Sequence, residues 1–172
     1  ELQHALDRGA HIYAEITGFG NTFVGGKKHP EDVRVRRIEK AMHDALEESG
    51  AKKEHVNLIS ANASGCKMQD KVEAKAIQSY FGTGSSQIPI TAIKSNVGES
   101  YGASGAAQII STVMSINTGL TPHIINHSNK DPEINLNLIL EKPFRKEIQN
   151  AIINTMDYDG NNSCLVISRF GK

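Results

Sequence analysis

Apolar and polar positions change period several times along this chain. From Ala10 to Thr17 the period is two, with Ile12, Ala14 and Ile16 on one side and His11, Tyr13, Glu15 and Thr17 on the other, which predicts a strand. Asn21 to Lys28 reads as a glycine-containing loop. Pro30-Glu31-Asp32 then opens a helix, with acids complementing the dipole of its first turn. Ile38, Ala41, Met42, Ala45 and Leu46 follow the three-and-four spacing of a buried helical face, and Gly50 stops it. His55 to Ser60 reads as a short strand, Lys71 to Phe81 as a helix with Val72, Ala76, Ile77 and Tyr80 inward, and Ile88 to Ile93 as a strand. Gly102 to Thr118 should be helical. Its Ile109, Ile110, Val113, Met114 and Ile116 spread around much of the circumference, as expected of a helix buried between layers. Extended segments follow near Ile134–Leu140, Ile148–Asn154 and Cys164–Arg169. Strands alternating with helices predict an α/β sheet with helices on both faces. Such folds place their sites in loops at the carboxyl ends of strands, where Asn62 and Lys94 fall.

Composition narrows the classes. The 172 residues suit one domain. Nineteen basic and nineteen acidic residues balance, so no electrostatic footprint for nucleic acid or an anionic membrane is expected. No apolar run is long enough to span a bilayer. Cys66 and Cys164 stand far apart without paired spacing, which fits a reducing, cytoplasmic setting. His123 and His127 are four apart, but Pro122 and the Asn/Ser-rich surroundings argue against the helix that would align them on a metal, and no metal or cofactor is expected. Lys27, Lys28, Arg34, Arg36, Arg37 and Lys40 make a basic run, read either as a solvated helix face with interspersed acids or as part of a docking face for an acidic partner.

Three loops carry a family resemblance. Lys94-Ser95-Asn96-Val97-Gly98-Glu99, followed by Gly102, Ala103, Gly105 and Ala106, resembles the Lys-Ser-x-x-Gly-His loop and small-residue helix start of the β-ketoacyl-acyl-carrier-protein synthases. Ser60-Ala61-Asn62-Ala63-Ser64-Gly65-Cys66, with Asp70, Glu73, Ala74, Phe81 and Gly82 fixing register, resembles their Asn-Ala-His-Gly-Thr-x-Thr loop and the helix after it. Asn154 to Asn162 resembles their glycine-rich Asn-Ser-Phe-Gly-Phe-Gly-Gly-x-Asn turn, with Tyr158 at the gating phenylalanine and Asn162 at the final asparagine. The resemblance implies a thiolase-like fold, specifically its C-terminal half with a mixed five-stranded sheet. The half carrying the cysteine nucleophile would then belong to another part of the subunit. Leu2 to Gly9 reads as the last turns of a helix, so the chain is expected to be a processed or trimmed piece, poorly structured when expressed alone.

Against that pattern, two positions change the chemistry. Glu99 and Asn62 stand where the family has its two histidines. In the family reaction, negative charge grows on a thioester oxygen as carbon dioxide leaves, and the histidines donate hydrogen bonds to it. An ionised Glu99 opposes that charge by about 4 kcal/mol near 4 Å at an effective dielectric of about 20, which slows the step roughly a thousandfold. Asn62 can donate an amide hydrogen bond but cannot act as a base. The acid that pairs with the family lysine aligns with Gln108, so Glu99 is the expected replacement partner of Lys94. Cys66 has no adjacent base and reads as a small buried thiol.

No catalytic residue is therefore expected here. The pattern resembles a chain-length factor, the inactive partner of a ketosynthase in type II polyketide systems. That resemblance implies an active ketosynthase subunit, the N-terminal half of the same subunit and an acyl carrier protein as partners. Two alternatives stay open: a divergent acyltransferase of the same fold with its nucleophile on the other half, and a plain interaction fragment.

Overall fold

The computed structural model describes residues 1–25 and 29–171, so Lys27 and Lys28 of the basic run lie outside the described residues. A short helix, α1 (Leu2–Asp7), ends before Gly9, whose φ of +63° suits glycine. Strand β1 (Glu15–Phe23) begins five residues later than the alternation predicted and runs into the segment read as a loop. The reason is pairing: Glu15 to Phe23 matches Ser168 to Asn161 on β8 (Asn161–Ser168), with an irregularity between Ile16 and Gly18. Helix α2 (Glu31–Ser49) buries the five residues its spacing selected, and Gly50 closes it in the left-handed region.

Strand β2 (Val56–Ser60) leads to α3 (Lys67–Phe81), which starts a turn earlier than expected. Strand β3 (Pro89–Thr91) leads to the single turn α4 (Lys94–Val97) and then to α5 (Ser104–Thr118). Short strands β4 (Leu120–Thr121), β5 (Asn137–Leu138) and β6 (Phe144–Arg145) precede β7 (Asn150–Met156). The main sheet runs β1-β8-β7-β2-β3-β5, six strands rather than five; the sixth, β5, is a two-residue parallel pairing on β3. Strands β4 and β6 form a separate antiparallel pair.

Helices cover both faces. Alternation along the central strands divides the core: Ile59, Ile152, Cys164 and Val166 pack with α2 and α3, whereas Leu58, Ala151, Ile153 and Ile167 pack on the other face with Ile116 of α5. Helix α5 departs from expectation. Its inward side holds Ser104, Gln108, Thr112, Ser115 and Ile116, while Ile110 and Met114 are 64% and 51% exposed. Its apolar residues are thus split between the sheet and the outside. Phe19 and Phe23 of β1 are also exposed; they alternate with Gly18, Gly20 and Thr22, which are buried toward α2.

Strand β1 approaches α2 so closely that side chains have no room. A Cβ on Gly18 would lie 2.0 Å from the Ala45 carbonyl oxygen, and one on Gly20 would lie 2.0 Å from that of Ala41. Gly20→Ala should therefore destabilise the protein by about 1–3 kcal/mol through overpacking. Gly84→Ala, with open space around it, should be near neutral. Urea denaturation of the two variants checks this, and equal midpoints would refute it.

Candidate functional site

Strands β2, β3 and β7 are mutually parallel in register, so their carboxyl ends converge on one side of the sheet. Asn62 follows β2, Lys94 follows β3 and Met156 ends β7. Sequence reasoning therefore placed Asn62 and Lys94 correctly, and the structure joins them. The Lys94 ammonium donates to Asn62 Oδ1 at 2.8 Å and pairs with Glu99 Oε2 at 2.9 Å. Lys94 is only 8% exposed, and a buried charge needs such partners. The Met156 backbone N–H donates to the same Asn62 oxygen at 3.1 Å. Two donors on Oδ1 fix the orientation of the amide. Its nitrogen, Nδ2, is buried and has no partner among the described residues.

Glu99 is a strap as well as a counter-ion. Its Oε1 accepts from the Ser104 hydroxyl at 2.5 Å and from the Tyr101 N–H at 2.9 Å. Partial burial raises its pKa, but Ser104, the Lys94 ammonium and the Tyr101 N–H outweigh it and hold the carboxyl below the ordinary range. The ion pair expected from the sequence is therefore present. Gln108, aligned with the family acid, is engaged elsewhere. Its amide nitrogen donates to the carbonyls of Ala61 and Asn154, each at 3.0 Å, tying α5 to the ends of β2 and β7.

Glu73, which the sequence used only to set register, holds the β2–α3 loop. Its two carboxylate oxygens accept the N–H groups of Asn62 at 2.8 Å and Ala63 at 2.9 Å, and Ala63 sits at φ +38°. Burial pushes the Glu73 carboxyl up to about 7, against the opposing pull of those two N–H groups. Its signal in the sequence was the Asp70-to-Glu73 spacing just inside a helix start.

The remaining candidates fall as follows. Cys66 is half-buried at the start of α3 rather than buried, because the Gly65 turn, at φ +80°, opens that end of the helix. Cys164 is the buried thiol, and burial pushes its pKa far up. Tyr158 stands 51% exposed on the β7–β8 turn. Asn162 is buried on the α2 face, where its amide reaches Gly160 O at 3.2 Å and Thr22 Oγ1 at 3.5 Å. Neither residue lines the cavity of about 430 Å³ beside Lys94 and Glu99, whose walls include Ile77, Ile90, Ile134 and Leu138. Pairing of β8 with β1 and β7 turns Asn162 inward, while Tyr158 faces out from the turn. His127 lines that cavity and His123 does not. Among the described residues, His43, Asp44 and Glu47 have ligand atoms within 4.8 Å of one another, but Asp44 already pairs with Lys40 on the open surface of α2. Arg36 likewise pairs with Asp32 at 2.7 Å in the open, which favours a solvated helix face for the described part of the basic run. No helix among the described residues is long and apolar enough to cross a membrane.

Residues 13–128 match the family described as beta-ketoacyl synthase, C-terminal domain. The chain belongs to that family. It is 31% identical to 3-oxoacyl-[acyl-carrier-protein] synthase 2 of Coxiella burnetii over 98% of its own length and 41% of that protein. Two solved structures are similar. One is the ishigamide ketosynthase/chain length factor, with a TM-score of 0.88 at 31% identity, covering 99% of this chain and 41% of that one. The other is a type II PKS acyl-carrier protein in complex with its ketosynthase bound to the hexaketide, with a TM-score of 0.90 at 28% identity, covering 98% and 41%. This beta-ketoacyl synthase C-terminal domain thus spans about two fifths of the relatives it matches. Its fold is the thiolase-like α/β arrangement of their C-terminal parts.

Two outcomes test the site. Gln108→Leu leaves the Ala61 and Asn154 carbonyls without this donor and should cost about 1–3 kcal/mol, read by urea denaturation; an unchanged midpoint would count against the tie. The second is pH dependence. Because folding holds Glu99 below its ordinary value of 4.5, its stabilisation is complete above pH 4.5 and is lost as pH falls through the lowered value. Glu99→Gln should flatten that part of the stability–pH curve, and an acid limb as steep as the parent's would refute the pairing.

Proposed function

We propose that the subunit containing this domain is a non-catalytic, chain-length-factor-type partner of an active ketosynthase in type II polyketide synthesis. The observation that carries this reading is the Lys94–Glu99 pair. It cancels the one full positive charge held against Asn62, so a forming enolate oxygen would find neutral donors and an adjacent carboxylate. Asn62 cannot take or give a proton at neutral pH, and neither family histidine position carries an imidazole. The active ketosynthase would supply cysteine, histidines and lysine, and this subunit would help shape the elongation cavity. An acyl carrier protein would deliver the extender units, in the cytoplasm. The similarity to solved ketosynthase/chain length factor structures supports this assignment of partners.

The exposed Ile110 and Met114 of α5 and Phe19 and Phe23 of β1 support a second layer on that face. We assign it to the N-terminal half of the same subunit, the part the relatives have and this chain does not span.

One observation favours a second reading. Asn62 Nδ2 is a fixed donor without an acceptor among the described residues, which a divergent acyltransferase could aim at a thioester oxygen. Turnover by the intact complex decides. Asn62→Ala and Glu99→Gln in this subunit should leave malonyl-thioester consumption within about twofold of the parent, whereas a catalytic Asn62 would lose on the order of a hundredfold.

A further inference from the structure

The family's glycine-rich turn has Asp157-Tyr158-Asp159-Gly160 here, and Asp157 orders it. One carboxylate oxygen, Oδ1, accepts the backbone N–H groups of Asp159 at 2.9 Å, Gly160 at 2.7 Å and Asn161 at 2.8 Å. The other, Oδ2, accepts from the Asn161 side-chain amide at 2.5 Å. The Asp157 N–H donates to Asn161 O at 3.1 Å, and the Gln69 amide donates to Asp157 O at 3.2 Å, which ties the turn to α3. Gly160 closes the bracket. Its φ is +102°, its carbonyl accepts the Val24 N–H at 2.9 Å, and a Cβ on it would lie 1.9 Å from the Val24 carbonyl oxygen. The residue just before Asp157 is Met156, whose N–H is one of the two donors fixing Asn62.

We propose that Asp157 is a positioning residue: it locks the β7–β8 turn so that the Met156 N–H is held against Asn62 and Tyr158 projects from the turn in one preset position. A turn rich in glycine would leave both groups free to swing. Here four hydrogen bonds to one carboxylate replace that freedom, on a turn anchored to α3 through Gln69 and to the end of β1 through Gly160. The lowered pKa of Asp157, on which the Asn161 amide and those N–H groups outweigh partial burial, agrees with an ionised bracket at neutral pH. The assignment is independent of whether the subunit is catalytic.

Amide hydrogen exchange on the intact subunit in its assembled complex tests it. Asp157→Ala should raise exchange at residues 159–161 and at Met156 by at least about tenfold, with Ile152 and Ile153 of the same strand unchanged. Asp157→Asn keeps an oxygen for the three backbone donors, but its bond to Asn161 survives only if the Asn161 amide turns over to present its oxygen. Adding Asn161→Asp restores that bond with donor and acceptor exchanged, and should return Met156 to within about threefold of the parent. If Asp157→Ala loosens all of β7, the double variant decides. Unchanged Met156 exchange in Asp157→Ala, or no rescue in the double variant, overturns the proposal.

Discussion

A lysine ammonium removed from water has to be neutralised, and the organisation of this site follows from how that is done. Lys94 emerges from β3 into a nearly closed position between the β2–α3 loop and the loop before α5. Glu99 supplies the charge and Asn62 supplies an oxygen. Once Asn62 Oδ1 faces Lys94, its amide nitrogen must point away, and the Met156 N–H can join from β7. Once Glu99 faces Lys94, its second oxygen gathers the Tyr101 N–H and the Ser104 hydroxyl and shapes the entry to α5. The same pair that satisfies the buried charge also removes the electrostatic asset a forming oxyanion would need. In the proposed non-catalytic reading, the stability of the site and its unfitness for an oxyanion have one physical origin.

Around that centre, polar side chains do work that apolar packing does elsewhere in the domain. Gln108 sits wholly buried on the inward side of α5 and grips two strand ends through their carbonyls. Glu73 holds two consecutive N–H groups of a loop whose Ala63 is in the left-handed region. Each arrangement leaves the segment little freedom, since breaking it strands a buried donor or acceptor. On the opposite side of α5 the pattern inverts, and Ile110 and Met114 face out. A helix with a polar inner seam and an apolar outer one is suited to lie between two layers, of which this chain provides one.

Much of the architecture was legible in order along the chain. The buried face of α2, its glycine stop, and the strand-to-loop exits that carry Asn62 and Lys94 came from spacing and turn chemistry, which are local properties. The Lys94–Glu99 pair was legible because only four residues separate the two charges and no other acid was aligned with the lysine. The start of β1 was not, because the alternation from Ala10 onward is a local signal, whereas pairing with β8 is set by residues nearly 150 positions away. The inward turn of Asn162 and the half-exposure of Cys66 were lost for the same reason: which side of an element is inside depends on its neighbours.

The sequence by itself determined the residue types at the three matched loop positions: an amide, a lysine and a carboxylate, with no imidazole at either family histidine position. It also determined the order of elements that brings those residues to the strand ends. Tertiary structure alone decided that Asn62 turns its oxygen to Lys94 and leaves its nitrogen unpaired, that Gln108 serves the backbone rather than the lysine, and that one Asp157 carboxylate gathers a whole turn. Those choices depend on distances between segments far apart in the chain. Hydrogen-bond geometry selects among partners only after packing has placed them within reach.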